Sequence, residues 1–211
     1  MISHDKNEID IVNEENARVA LGFLSMAFDY LLLVENILDE AIKTGNQWMT
    51  VGSGHPSVDD YHEKTKWSDF KIITPTLFLL YHALELIMKG LISIKSSINL
   101  NHGFKELLTE TDSVNSLDPA IKSILRSHIL IDEVNPILRV YLNNNKLDIN
   151  GLYESLRYPV SKKGKNEFIH FDLHYKEEKM IPYYNKIIND SSSLRKLVGE
   201  YWSNFRGLLS L

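Results

Sequence analysis

Apolar residues recur at helical spacing through residues 9–43, at Val12, Val19, Phe23, Met26, Tyr30, Leu33 and Ile37, with Leu24, Leu31 and Leu38 widening the stripe. A period of three to four residues marks an amphipathic helix, so this stretch predicts one long core helix. It ends at Thr44-Gly45-Asn46, where glycine adopts a left-handed cap at little steric cost. Residues 47–66 hold Gly52, Gly54 and Pro56 and read as a loop of unusual length. Thr74-Pro75 reads as an N-cap followed by proline at the first helical position, opening a second core helix that continues to about residue 94.

Shorter elements follow. Residues 102–109 give a short helix, and Asp118-Pro119 opens another carrying Ile121, Ile124, Leu125 and Ile129, which Pro136 should kink or split. Asn143-Asn144-Asn145 marks a loop, residues 149–156 a short helix, and Tyr158-Pro159 an extended exit, since proline disfavours helix in the residue before it. Residues 168–175 alternate large apolar and polar side chains after a Lys162-Lys163-Gly164-Lys165-Asn166 turn. That pattern predicts a small β-hairpin over residues 158–175. Ile181-Pro182 begins another helical segment, and Leu194, Leu197, Val198, Tyr201, Trp202, Phe205 and Leu208 form a closing amphipathic helix after Ser193. The expected class is mainly all-α, in one domain spanning residues 1–211.

Composition adds exclusions. With 44% hydrophobic and 24% charged residues the chain is near the globular average and far from a disordered profile. It has no cysteine, which removes disulfides and thiolate metal sites and is compatible with a reducing cytoplasm. Residues 1–16 are acidic and amide-rich where a secretory signal needs a basic start and an apolar run. The run Leu77 to Leu86 is interrupted by His82 and Glu85, so no membrane span is expected. A formal net charge of -5 argues against a basic footprint over the whole protein, while leaving room for a local phosphate-binding patch.

The second core helix carries the candidate chemistry. At 100° per residue, Leu77, Leu80, Leu84, Ile87, Leu91 and Ile94 fall on one side and His82, Glu85, Lys89 and Ser93 on the other. Phe78, Leu79, Leu86 and Ile92 flank the polar stripe, so leaving it in water would expose a large apolar surface. Partial burial is expected, and a buried polar group without partners costs roughly 2–7 kcal/mol by transfer scales. Those partners must come from elsewhere in the chain.

The run from Pro75 to Leu91, with His82-Ala83-Leu84-Glu85-Leu86 and Lys89, is followed by His102-Gly103-Phe104-Lys105-Glu106-Leu107-Leu108 and later by Leu156-Arg157-Tyr158-Pro159. These motifs, spread over residues 70–159, resemble the HEPN (higher-eukaryote and prokaryote nucleotide-binding) superfamily. The resemblance implies a helical bundle around two long antiparallel helices, commonly a homodimer, in prokaryotic antiviral defence or toxin-antitoxin systems. It implies RNA or a nucleotide as ligand, or a partner protein encoded nearby, with no cofactor. Ribonuclease members carry arginine followed after four to six residues by histidine. None of Arg18, Arg126, Arg139, Arg157, Arg195 and Arg206 has a histidine at that spacing, so the standard ribonuclease motif is absent.

The ligand-binding set expected is His82, Glu85, Lys89, His102, Arg157 and Tyr158, with Arg157 offering Glu85 a planar two-pronged partner and Lys89, one turn away, competing for it. Two rival readings stand beside RNA or nucleotide binding. One is a nuclease in which His82, His102 and Arg157 polarise a phosphodiester and move protons; the other is a structural dimeric subunit whose polar stripe specifies packing. His170, Asp172 and His174 would share one face of the expected strand, but an exposed polar row accounts for them better than a metal. The Lys162, Lys163 and Lys165 tip reads as a solvated turn, Gly52-Ser53-Gly54 lacks a phosphate-loop context, and no Gly-x-Ser-x-Gly nucleophile elbow occurs.

Overall fold

Four helices begin on a side chain that accepts an amide of the first turn: Ser57 from Asp60, Asp118 from Ala120, Asn135 from Ile137 and Asp148 from Gly151. Each such bond satisfies one of the amides that a helix start leaves without a partner. The computed structural model describes residues 14–48, 57–94, 103–161 and 167–208. Among these, eight α-helices form and no strand: α1 (Glu14–Lys43), α2 (Val58–Thr65), α3 (Asp69–Ser93), α4 (Phe104–Asp112), α5 (Pro119–Ile129), α6 (Pro136–Asn145), α7 (Ile149–Ser155) and α8 (Ile181–Leu208). The all-α class read from periodicity is the class that forms.

The long helices α1 and α3 run antiparallel, Leu24 meeting Gly90 and Tyr30 meeting His82. Helix α8 lies along α1, tied to it by Arg195, whose Nε and Nη2 donate to the two Glu35 oxygens at 3.0 and 2.7 Å. Helix α5 joins α8 through His128 and Asp190 (2.8 Å), with Lys186 completing the group. The Tyr81 hydroxyl donates to the His128 carbonyl and brings α3 to the same place. Pro136 splits the helix that Pro119 opens, as expected, whereas the two segments after Ile181 form one continuous α8.

The core takes the Leu24, Leu31 and Leu38 edge of the expected α1 stripe, with Phe23, Tyr30 and Ile37 packed against it, and not the stripe's centre. Ala17, Ala20, Leu24, Ala27, Leu31, Val34, Leu38 and Ala41 are buried, while Val19, Met26 and Leu33 are 43%, 51% and 46% exposed. Small residues decide this. Alanines bring α1 close to α3, where a Cβ built on Gly90 would stand 2.6 Å from Leu24 Cδ2. Gly90→Ala is therefore expected to lose roughly 1–3 kcal/mol by overpacking. Gly22→Ala, with nothing within 4 Å of the added methyl, should be neutral or gain up to about 1 kcal/mol of helix propensity. Urea midpoints compare the two.

Three further expectations are corrected. Helix α3 starts at Asp69 and carries Pro75 inside it, because the Asp69 amide is already fixed by Asn46 Oδ1 at 2.6 Å and the turn closes on the Ser68 carbonyl. Residues 57–65, expected as loop, form α2 on the Ser57 cap. The expected hairpin reduces to one antiparallel bridge between Val160 and Glu167, followed by 3₁₀ turns at His170–Leu173 and Glu177–Met180; its turn, 162–166, lies outside the described residues. Side chains take the backbone groups a ladder would need: Asn145 Oδ1 accepts from Ile169, and Asp69 accepts from Tyr175 and Lys176.

By length and composition, α1 and α3 each reach what a membrane span needs, so His82 and Glu85 do not by themselves exclude one. Within the fold, α3 buries most of its surface against its neighbours, as a core helix of that composition does.

Candidate functional site

Positions 82, 85 and 89 lie one turn apart on α3, so their side chains stack along one line. Lys89 Nζ donates to Glu85 Oε1 at 2.6 Å, and His82 Nδ1 stands 3.7 Å from Oε2. All three are largely covered, their side chains retaining 11% (Lys89), 19% (Glu85) and 27% (His82) of their exposure. The expected partial burial of the stripe is thus observed.

Aromatic rings supply the cover. The Tyr153 hydroxyl and His82 Nδ1 are hydrogen-bonded at 2.8 Å. Tyr30 from α1 meets the His82 ring edge-on at 5.0 Å, and Phe78, one turn back on α3, lies parallel to it at 5.9 Å. Tyr153 stacks on Phe78, and Phe104 from the start of α4 meets Tyr153 edge-on at 5.4 Å. The Phe104 amide donates to Asn150 Oδ1, which fixes the beginning of α4 against α7. Rings from α1, α3 and α7 therefore pack on the His82 imidazole, and α4 backs the Tyr153 ring.

Burial by itself would push the Glu85 carboxyl up, but His82 and Lys89 outweigh it and hold it at about 2. The Tyr153 phenol moves the other way, raised by burial and then by the Glu85 charge, against a smaller lowering from Arg157. At neutral pH the carboxylate is charged and the phenol keeps its proton.

Arg157 does not take Glu85. Its Nε donates to the Tyr153 carbonyl at 3.2 Å, and its guanidinium carbon lies 4.5 Å from the Tyr153 ring centroid and 5.6 Å from that of Tyr158. Lys89, the competing partner, has the carboxylate. The reason is local: α7 ends at Ser155, and the arginine four residues after Tyr153 folds back on that ring instead of reaching past it. Of the expected set, His82, Glu85 and Lys89 come together, Arg157 and Tyr158 stand outside Tyr153 with Tyr158 49% exposed, and His102 lies outside the described residues. Phe78 lies beside the stripe as expected, whereas Tyr153, Tyr30 and Phe104 were missed; the four-residue spacing from Tyr153 to Arg157 was the readable signal for the first.

The other polar groups are accounted for separately. His170 Nε2 bonds the Ser155 carbonyl, Asp172 accepts from Asn144, and His174 packs edge-on to Phe70, so each of the three has its own partner. No group of three or more metal-ligating side chains occurs among the described residues. A polar groove lined by Asn144, Asn145, Lys146, Val160 and Phe168 shares no residue with the ring cluster. Comparison with protein-family models, curated proteins and solved structures finds no match.

Proposed function

We propose that the protein binds single-stranded RNA or a nucleotide at the Tyr153–Arg157–Tyr158 edge of this site, within a prokaryotic defence or toxin-antitoxin type system as the HEPN resemblance implies. One observation carries the reading. The exposed Arg157 guanidinium lies over two tyrosine rings and has no carboxylate partner among the described residues, while the nearby Glu85 charge is neutralised internally. A cation backed by aromatic rings offers a base a stacking surface and a phosphate a donor fork. Buried Lys89, held on Glu85, acts as support and does not contact the ligand.

Fluorescence anisotropy with a labelled single-stranded oligoribonucleotide tests this. Arg157→Ala and Tyr158→Ala should each weaken binding by roughly 5- to 100-fold, the range of one lost stacking contact, and affinity should fall as salt rises. Unchanged affinity in both variants sinks the reading. Because the arginine-to-histidine spacing fails throughout the chain, no cleavage is expected in chelator; cleavage lost in His82→Ala or His102→Ala would promote the nuclease reading.

A further inference from the structure

The turn between α6 and α7 puts a lysine where glycine is the residue of least strain. Helix α6 closes with the Lys146 amide on the Asn143 carbonyl at 3.1 Å and the Leu147 amide on the Leu142 carbonyl at 2.9 Å, a paired closure whose first residue is left-handed. Lys146 takes that conformation at φ 54° and ψ 46°, which glycine adopts freely and a lysine does not. Its side chain is exposed and has no carboxylate partner among the described residues. That ammonium is the basic group of a groove of about 770 Å³, a size within the roughly 300–1,000 Å³ of small-ligand sites. Glu154 of α7 and Glu167 are the groove's acidic groups, and Phe168 and the exposed Ile169 give it an apolar surface. The groove adjoins the Arg157–Tyr158 edge. The Tyr158 amide donates to the Glu154 carbonyl at 3.1 Å, which sets Tyr158 one helical turn, about 5.4 Å, beyond Glu154. The Phe168 amide donates to the Pro159 carbonyl at 3.0 Å, so the chain leaving the edge becomes a wall of the groove.

We infer that this groove is a second nucleotide subsite, which takes the base next to the one stacked on Arg157 and selects a base bearing an exocyclic amino group, with Lys146 on the phosphate that joins the two. The assignment rests on RNA binding at the Tyr153–Arg157–Tyr158 edge and narrows its ligand to a strand of two or more nucleotides. Charge decides which part of a nucleotide enters. Two carboxylates against one ammonium suit a neutral base and not a run of phosphates. A carboxylate accepts hydrogen bonds and donates none, so Glu154 and Glu167 select a base edge that carries a donor, the amino group of cytosine, adenine or guanine. Uracil presents a carbonyl oxygen where cytosine presents that amine, and two acceptors would then face each other. Phe168 offers the base a ring to stack on, as aromatic side chains do in single-strand sites. The linking phosphate falls to Lys146, the groove's cation. This role accounts for a lysine at a glycine position, since strained residues cluster where function holds them.

Competition against a labelled oligocytidylate, read by fluorescence anisotropy on the full chain, tests the subsite. The dinucleotide cytidylyl-cytidine should compete at a concentration at least about 5-fold below that of cytidine monophosphate, the low end of one added base contact. Oligocytidylate should bind at least about 5-fold more tightly than oligouridylate, and Glu167→Gln should narrow that preference, because an amide can donate to uracil. Lys146→Gly should weaken oligocytidylate binding and lower the slope of log affinity against log salt by about 0.7, one phosphate contact on a single strand. Its melting temperature should be kept or raised, an outcome that loss of folding cannot produce. Lys196→Ala, which removes the same charge from an exposed position on α8, should leave the slope as it is. If the dinucleotide competes no better than the mononucleotide, if cytidylate and uridylate bind alike, or if Lys146→Gly leaves the salt slope unchanged, the subsite is overturned. Arg157→Ala weakening binding in that case leaves the first site standing without it. Unchanged affinity in both Arg157→Ala and Tyr158→Ala removes the first site and the subsite with it.

Discussion

Asp69→Ala will lower stability by roughly 3–5 kcal/mol, the worth of two charge-assisted amide bonds at about 1.5–3 each. The carboxylate is fully buried and accepts from Tyr175 N at 2.9 Å through Oδ1 and from Lys176 N at 2.6 Å through Oδ2, with Asn46 Nδ2 at 3.3 Å. Asn46 in turn donates to the Glu177 carbonyl. Around this pair the backbone is held where side chains are uncommon: Asn46, Tyr175 and Glu177 all have φ between 51° and 59°. Non-glycine residues there carry strain of order 1 kcal/mol each, and they keep it only while surrounding bonds enforce it. Removing the carboxylate leaves amides without acceptors and frees the strained turn, so the loss should begin locally. Urea unfolding gives the total, and hydrogen exchange should show the Tyr175 and Lys176 amides losing protection first. A loss below about 1 kcal/mol, with both amides still protected, would mean that water or a neighbour takes over the carboxylate's role.

The same latch explains what the sequence hid. Residues 168–175 alternate as a strand should, and the pattern is real, but period-two alternation reports side-chain character and not where the backbone bonds go. Here the acceptors are side chains far from the alternating stretch, Asp69 more than 100 residues earlier and Asn145 24 residues before Ile169, and no local signal marks them. On α1 the periodicity identified the helix and, at Leu24, Leu31 and Leu38, the edge of the stripe that becomes core, but it centred that stripe on Val19, Met26 and Leu33, which stay exposed. Two apolar stripes share that helix, and the bulkier one drew the assignment, whereas packing chose the stripe of alanines that lets Gly90 approach. Thr74-Pro75 looked like a helix start for a related reason: proline is tolerated inside α3 as well as at its first turn, and the true start depends on Asn46 from another segment. The line His82, Glu85, Lys89 was legible because it needs only the 3.6-residue period. Its covering rings come from α1, α4 and α7 and needed the fold.

Lys89→Met is expected to cost roughly 3–5 kcal/mol, because it strands the Glu85 carboxylate in a largely covered site, and a buried charge without its partner is penalised far more than the intact pair is rewarded. Glu85→Gln combined with Lys89→Met should recover a large part of that loss, since neither charge then remains. The acid limb gives an independent reading. Glu85 is held at about 2 against an ordinary value of 4.5, so its contribution is fully present above about pH 4.5 and disappears as the pH falls toward 2. A depression of that size corresponds to something of order 3 kcal/mol. In Lys89→Met the carboxyl should titrate at a higher pH, which carbon-13 NMR of the Glu85 carboxyl measures directly. Arg157→Ala should cost under about 1 kcal/mol, as an exposed guanidinium resting on tyrosine rings contributes little to folding. If Arg157→Ala costs as much as Lys89→Met and raises the Glu85 titration equally, the arginine holds the carboxylate in solution, and the exposed cation on which RNA binding rests is not free to meet a ligand.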